Sequence, residues 1–274
     1  MPSFEVLCVT MHQKDFSKLK TMNIHSDVVF ANQCGHTAFE ELEFEGHRAR
    51  MISTATRGVG VNRNLTLLYA SADICLLADD DVTYRDDMEQ MVVEEFETHP
   101  DADIFVFNYD ETDPVRMQKN YPRTKKCRGL FRMPWSAFQI AFRRSAQLKA
   151  NLWFSTLYGG GCIFPCGEDS KWFLDAKRAG LTFYVSKKVI GSVSYETSTW
   201  FSGFDERFFY GKGVYAYAAH RRAFWLWKWY YLLRHVKDGS LPQRTRLKWV
   251  KRGKQGYREL LSYQDFCKKY GADQ

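Results

Sequence analysis

Residues 73–78 (DICLLA) run without a break into Asp79-Asp80-Asp81. A short, continuous apolar run is the pattern of a strand buried on both faces, as in a parallel sheet. Three adjacent carboxylates cannot follow it into a core, because unpaired charge is expelled from an apolar interior or neutralised there. The strand must therefore end at an edge, and in an open α/β sheet ligands bind at the carboxyl edge of the strands. The first 110 residues fit that plan. Residues 4–9 (FEVLCV), 27–31 (DVVFA) and 103–108 (DIFVFN) read as further buried strands, and 50–53 as a shorter one. Residues 14–22, 62–70 and 86–98 carry helical spacing,. Alternating strands and helices predict a mostly parallel sheet with helices on its faces. Further on, 111–132 reads as a polar loop, 136–150 as a helix, 168–179 as a helix stopped by Gly180, and 182–185 and 189–193 as two strands,.

The acidic triplet invites a divalent cation. Like charges this close raise one another's pKa unless a cation intervenes, and hard oxygen ligands suit Mg²⁺ or Mn²⁺, which commonly bridge carboxylates to phosphates. Two metal chemistries fit. One is a DxD motif whose metal holds a nucleotide-sugar diphosphate. The other is the DxDxT pattern of haloacid-dehalogenase phosphatases, with Asp79 as nucleophile and Asp81 as general acid/base. An EF-hand is excluded, because Tyr84 stands where its glycine is required,.

Three further elements qualify as site components. Gly167-Glu168-Asp169 opens a helix behind Gly159-Gly160-Gly161; its carboxylates suit a helix N-terminus and also a general base acting on an acceptor hydroxyl. Arg57 through Asn64 (RGVGVNRN) combines glycines that let a backbone come close with arginines that can meet phosphates,. The spacing is neither GxGxxG nor a P-loop. Thr10, after the first strand, and Asn32-Gln33, after the second, end at the same edge, where side chains of this type can read a base or a ribose.

Taken in order, Val9-Thr10-Met11, Asn32-Gln33, Arg57–Asn64, LLADDDV and GGGCIFPCGEDSKWFLDA resemble family 2 glycosyltransferases. Residues 198–213 (STWFSGFDERFFYGKG) are similar to the downstream segment of a bacterial branch that builds surface polysaccharides. The resemblance implies a GT-A fold: α/β, with a Rossmann-like, mostly parallel central sheet flanked by helices and followed by an amphipathic helical tail. It implies a catalytic domain over 1–204, with a nucleotide-sugar half of about 1–110 and an acceptor half of about 111–204, and a basic aromatic region over 205–274. The implied activity is inverting, hexosyltransferase-type transfer from a nucleotide sugar, a UDP-sugar by expectation, to a saccharide or lipid-linked saccharide. Asp169 would be the base, helped by Glu168. Thr10, Asn32, Gln33, Arg57, Arg63, Asp79 and Asp80 would lie on the donor, and Asp81 with Asp79 would hold Mn²⁺ or Mg²⁺. Relatives carry a His in the strand after GED; here Ser194-Tyr195-Glu196 stands in its place, leaving Glu196 or water as the substitute ligand. A phosphatase predicts neither the RN helix nor the GED helix in this order. A non-catalytic saccharide- or lipid-binding module is the remaining alternative, and the intact Asp79, Asp81 and Asp169 weigh against it.

Charge divides the chain unevenly. From Trp200 onward there are 16 Lys or Arg against 6 Asp or Glu, whereas the preceding residues carry 23 against 26. The basic part contains AFWLWKWYYLL, residues 223–233, in which Phe224, Trp227, Tyr231 and Leu232 share a helical side. Lys228 interrupts the apolar run, so the expectation is a helix lying on an anionic membrane surface rather than crossing it. No nucleic-acid motif accompanies these residues, so nucleic acid is not an expected partner. The absence of a leader-like start and seven cysteines, an odd number, fit free thiols in a reducing compartment. The expected location is the cytoplasm, at the inner face of the cell membrane.

Overall fold

The structure, a computed structural model, describes residues 1–111, 120–128, 135–194, 203–234 and 241–271. Contacts divide the chain into two units. The first takes in Met1–Arg57, Val61–Phe154 and Trp172–Thr197; the second takes in Gly58–Gly60, Ser155–Lys171 and Ser198–Gln274.

The first unit is built on one sheet of ten strands among the described residues. In chain order these are β1 (Phe4–Met11), β2 (Asp27–Gln33), β3 (Ala38–Phe44), β4 (His47–Thr54), β5 (Ile74–Asp79), β6 (Val82–Tyr84), β7 (Ile104–Glu111), β8 (Lys125–Lys126), β9 (Ile140–Arg143) and β10 (Phe183–Val193). They lie in the order β3-β4-β2-β1-β5-β9-β7-β10-β6, with β8 paired to β10. Strands β4, β2, β1 and β5 run parallel to one another, as do β7 and β10, while the edge strand β3 is antiparallel to β4. Antiparallel β9 joins the two groups. The helices are α1 (Lys18–Thr21), α2 (Val59–Tyr69), α3 (Met88–Thr98), α4 (Arg144–Lys149) and α5 (Glu168–Arg178).

Strand β1 shows why this sheet forms. Seven of its eight residues are buried, and period-2 alternation sends them to opposite faces. Val6 and Cys8 enter a core with Val92, Val93 and Phe96 of α3. Leu7 enters the other core, with Leu67 of α2 and with Trp172, Phe173 and Ala176 of α5. An apolar layer on each face is what a parallel sheet requires.

Several elements differ from the sequence reading, the short strands β6 and β8 among them. The helix expected at 136–150 is a 3-10 turn (Ala137–Gln139), then β9, then the short α4. Strand β9 sits between β5 and β7, with Phe142 opposite both Cys75 and Ile104, so sheet pairing overrides a helix-compatible sequence. The strands expected at 182–185 and 189–193 are one strand, β10, with irregular register between Val185 and Val189 and between Val189 and Ser192. Strand β3 (AFEELEF) is an exposed edge whose glutamates hide the strand pattern, as charged edges do. Helix α2 starts at Val59, three residues before the expected start.

The second unit contains α6 (Glu206–Ala219), α7 (Phe224–Arg234), α8 (Gln243–Glu259) and α9 (Tyr263–Tyr270). Its core gathers Phe209, Tyr210 and Val214 of α6, Leu232 of α7, Trp249 and Val250 of α8, and Phe266 of α9, together with Tyr158 and Phe164. Helices α6 and α8 touch through glycine. A Cβ on Gly213 would lie 2.1 Å from the Val250 carbonyl oxygen, and one on Gly253 2.1 Å from that of Tyr210. No described helix is long and apolar enough to cross a membrane. All seven cysteines are free.

Candidate active site

Parallel register carries the expected donor residues to one edge. Thr10 on β1 lies opposite Asn32 on β2, Asn32 opposite Ser53 on β4, and Val9 opposite Asp79 on β5. The carboxyl ends of the four strands therefore deliver Thr10, Asn32, Ser53 and Asp79 side by side, where α/β sheets bind ligands.

Each carboxylate of the triplet has a different environment. Asp79 accepts a hydrogen bond from Arg63 Nη2 at 2.9 Å. Arg63, 4% exposed, also lies over the Phe154 ring, its guanidinium carbon 5.3 Å from the centroid. Asp80 accepts from Thr10 Oγ1 at 2.5 Å, and its backbone carbonyl accepts from Lys18 Nζ at 2.9 Å. The same ammonium stands 3.6 Å from Asp80 Oδ2. Asp81 is half-buried, and its Oδ1 has no hydrogen-bond partner among the described residues. Burial first, then the charges of Asp79 and Asp80, push the Asp81 carboxyl up to about 6. A buried carboxylate oxygen beside two like charges is the chemistry a divalent cation relieves. The residues fit such an ion, although among the described residues no three His, Cys, Asp or Glu side chains already converge as a cage. Strand β10 closes this corner, Ser194 N donating to the Asp81 carbonyl at 3.3 Å. Glu196, expected with water as the substitute for the missing histidine, lies outside the described residues.

The remaining donor-edge residues differ in how deeply they are buried. Asn32 is fully buried. Its amide accepts from Gln13 N at 3.0 Å and donates to Gln13 O at 2.9 Å and to Ser53 Oγ at 3.0 Å. It therefore fixes the loop after β1. Gln33 is half-buried, and Arg57 is exposed ahead of α2. Lys18 carried no signal in the sequence. Lys18 sits on a single-turn helix 62 residues from the triplet it contacts. Asn64 holds Phe154 through paired bonds, Nδ2 to the Phe154 carbonyl at 2.9 Å and Phe154 N to Oδ1 at 2.8 Å, so the RN pair fastens α2 at two points.

The GED segment belongs to the second unit. Gly167, at φ 110°, turns the chain into α5, whose first residues are Glu168 and Asp169, both half-buried. The segment rests on α6: Tyr215 packs against Gly167, and its hydroxyl donates to the Ser170 carbonyl at 3.1 Å. The glycine-rich run makes space on the other side. A Cβ on Gly159, at φ 102°, would meet Val59 Cγ1 at 2.3 Å and Glu168 Cδ at 2.9 Å. Val59 N donates to the Gly160 carbonyl at 2.9 Å, and a Cβ on Gly60 would lie 2.3 Å from the Ser155 carbonyl oxygen. The two glycine-bearing segments, 58–60 and 159–161, thus pack backbone to backbone beside Glu168.

Residues 36–161, which include the RN helix and the acidic triplet, match the model of Glycosyl transferase family 2. Through this segment, just under half of its length, the chain is similar to glycosyltransferase family 2. Among solved structures, it is similar to S. aureus TarS residues 1–349, with a TM-score of 0.59 at 12% identity over 95% of this chain and 93% of that one. The same TarS fragment in complex with UDP-GlcNAc gives 0.58 at 11% identity, with coverage of 95% and 93%. A longer TarS structure gives 0.53 at 11% identity, covering 96% of this chain and 44% of that one. No curated protein matches the chain. At these identities the likeness to TarS is one of fold, and that fold is GT-A. The family 2 match extends from β3 to Gly161 and stops before the GED helix.

Proposed function

We propose that this chain is a family 2, inverting glycosyltransferase that moves a hexose from a UDP-sugar to a saccharide or lipid-linked saccharide during surface polysaccharide biosynthesis. The observation that carries the reading is the acidic turn after β5, where Asp79 is held by Arg63, Asp80 by Thr10 and Lys18, and Asp81 keeps a buried carboxylate oxygen with no hydrogen-bond partner among the described residues. UDP is favoured as the donor nucleotide because the TarS fragment of the same fold was crystallised with UDP-GlcNAc and with UDP.

In this reading Asp81 and Asp79 hold a divalent cation, which supplies charge neutralisation for the leaving diphosphate. Thr10, Gln33 and Arg57 line the nucleotide side, and Asn32 keeps the loop after β1 in place. Asp169 removes the proton from an acceptor hydroxyl. That oxygen attacks C1 of the sugar from the face opposite the diphosphate. The C1–O bond to the diphosphate breaks, its electron pair leaves with the diphosphate, and the configuration inverts. Glu168, set in the space left by Gly159, orients the acceptor or the base.

The test is a panel of nucleotide sugars with Mn²⁺ and a saccharide acceptor series, read by nucleotide release and by the anomeric configuration of the product. UDP release with an inverted product is expected. Release of phosphate from a phosphomonoester without any nucleotide sugar, or a retained configuration, would overturn the reading.

A further inference from the structure

Helix α7 (FWLWKWYYLLR) is apolar around most of its circumference, but only part of that surface is used inside the second unit. Tyr231 and Leu232 are buried, and Trp227 stacks on His220 with ring centroids 3.9 Å apart. The side that carries Phe224, Trp227 and Tyr231, which the sequence offered to a membrane, is thus the side that packs on protein. A second face remains. Trp225 is 61% exposed, Leu226 53%, Trp229 44% and Leu233 63%. At positions i, i+1, i+4 and i+8 these four fall on one arc of the helix. A lone exposed leucine needs no explanation, but a contiguous aromatic and aliphatic face marks an interaction site.

Charge selects the occupant. Exposed Arg221 and Arg222 stand in the 3-10 turn just before α7, and Lys228 Nζ lies 5.4 Å from the Trp229 ring centroid. From Arg207 to Arg258 the sequence holds 14 Lys or Arg and one acid, Asp238. A second copy docking through the same face would bring two such cationic rims together, which like-charge repulsion opposes. An anionic bilayer satisfies both halves of the surface: tryptophan and leucine enter the boundary between headgroups and acyl chains, and arginine and lysine meet the headgroup phosphates. With 11 residues, α7 is about 16 Å long and cannot span a bilayer core of about 30 Å,.

We propose that α7 docks the protein onto anionic lipid membranes, lying in the plane of the interface with Trp225, Leu226, Trp229 and Leu233 inserted. The assignment stands independently of the transferase reading, because it uses none of the residues placed in that site. The experiment is flotation of the full-length protein with vesicles of phosphatidylcholine alone or of phosphatidylcholine mixed with phosphatidylglycerol, with tryptophan emission followed in parallel. The expected results are flotation with the mixed vesicles, a blue-shifted emission on binding, and weaker binding in high salt. Trp225→Ser/Trp229→Ser should bind roughly a hundredfold more weakly, about tenfold for each side chain withdrawn from the apolar boundary, with an unchanged melting midpoint. Arg221→Ser/Arg222→Ser should weaken binding to the mixed vesicles only. Failure of the wild-type protein to float with mixed vesicles overturns the proposal, as does equal flotation of the tryptophan double variant. So does a dimer, seen by sedimentation equilibrium, that Trp225→Ser dissociates, since that would identify a second copy as the occupant.

Discussion

Arg63 on α2 donates from Nη2 to Asp79 Oδ1 at 2.9 Å, joining the helix that follows β4 to the last residue of β5. The guanidinium is buried against the Phe154 ring, while the carboxylate is one-third exposed. Arg63 thereby fixes which way the first acid of the triplet points. Substitution Arg63→Lys keeps the charge but loses the planar fork and its packing on the ring. A hydrogen bond to a charged group contributes roughly 1.5–3 kcal/mol, so nucleotide-sugar affinity should fall about tenfold to a hundredfold, measured by calorimetry, with the fold intact by circular dichroism. Unchanged affinity would mean that Asp79 orients itself.

Asp81 and Asp169 should fail in different ways. Asp81→Asn removes the charge that a cation would neutralise and relieves the crowding with Asp79 and Asp80. Nucleotide binding should then lose its dependence on Mn²⁺, and apo stability should stay the same or rise. Asp169→Asn leaves the first unit's acidic turn untouched, so donor binding and its Mn²⁺ dependence should persist while kcat falls roughly a hundredfold to ten-thousandfold, the usual loss on removing a general base. Calorimetry with and without Mn²⁺, followed by single-turnover assays, separates the two. Metal-dependent binding that survives Asp81→Asn would move the ligand role elsewhere.

The acidic triplet, the RN pair and the GED turn were all legible in the sequence, because each interrupts an apolar pattern with charge that a core would reject. The parallel strands were legible because β1, β2, β5 and β7 are apolar on both faces. What stayed hidden depends on partners distant in sequence. The Ile140–Arg143 segment is a strand only because β5 and β7 leave a gap that Phe142 fills between Cys75 and Ile104. Lys18 has no motif around it, and its role comes from a bond to the Asp80 carbonyl. The tail's helices were foreseen, but the face of α7 left open was not, since Trp225 and Trp227 look equivalent until α7 packs on its unit.

Gly159 tests how much room the GED carboxylates need. Its φ of 102° is unfavourable for any side chain, and a Cβ would press on Val59 and on the Glu168 carboxyl group. Gly159→Ala should cost about 1–3 kcal/mol of backbone strain and should also displace Glu168. The displacement predicts a drop in kcat beyond what loss of folded protein explains, with donor KM little changed. A variant that is destabilised but retains full kcat per folded molecule would leave the glycine a purely structural role.

Glu5 and Arg50 form an ion pair well inside the first unit, Arg50 Nη2 to Glu5 Oε2 at 2.7 Å, with Glu5 fully buried. Glu5 also accepts from the backbone amides of Ser71 and Ala72, so it ties β1 to β4 and to the turn before β5. Arg50→Met leaves that carboxylate without its cation. Breaking a buried pair in this way costs about 3–5 kcal/mol, which should appear as a lower urea midpoint, with unchanged kcat for the fraction that remains folded. A loss under about 1 kcal/mol would show that the two amides suffice to hold the charge.

Glu259, the last residue of α8, ties that helix to α9. It accepts from Tyr270 Oη at 2.6 Å, Gln255 Nε2 at 2.8 Å and Lys269 Nζ at 2.9 Å. The Tyr270 bond foremost, then those from Gln255 and Lys269, hold its carboxyl down from an ordinary 4.5 to about 2. A carboxylate whose pKa is lower in the folded state binds its proton more readily when unfolded. Its contribution is therefore fully present above about pH 4.5 and drains away as the pH falls toward about 2. Glu259→Gln carries no titrating proton there. Comparing the two proteins by thermal melting, the wild-type advantage at neutral pH should shrink through that acid window and vanish near its lower end. Melting curves that stay parallel across the window would show that Glu259 is not what fastens α9 to α8.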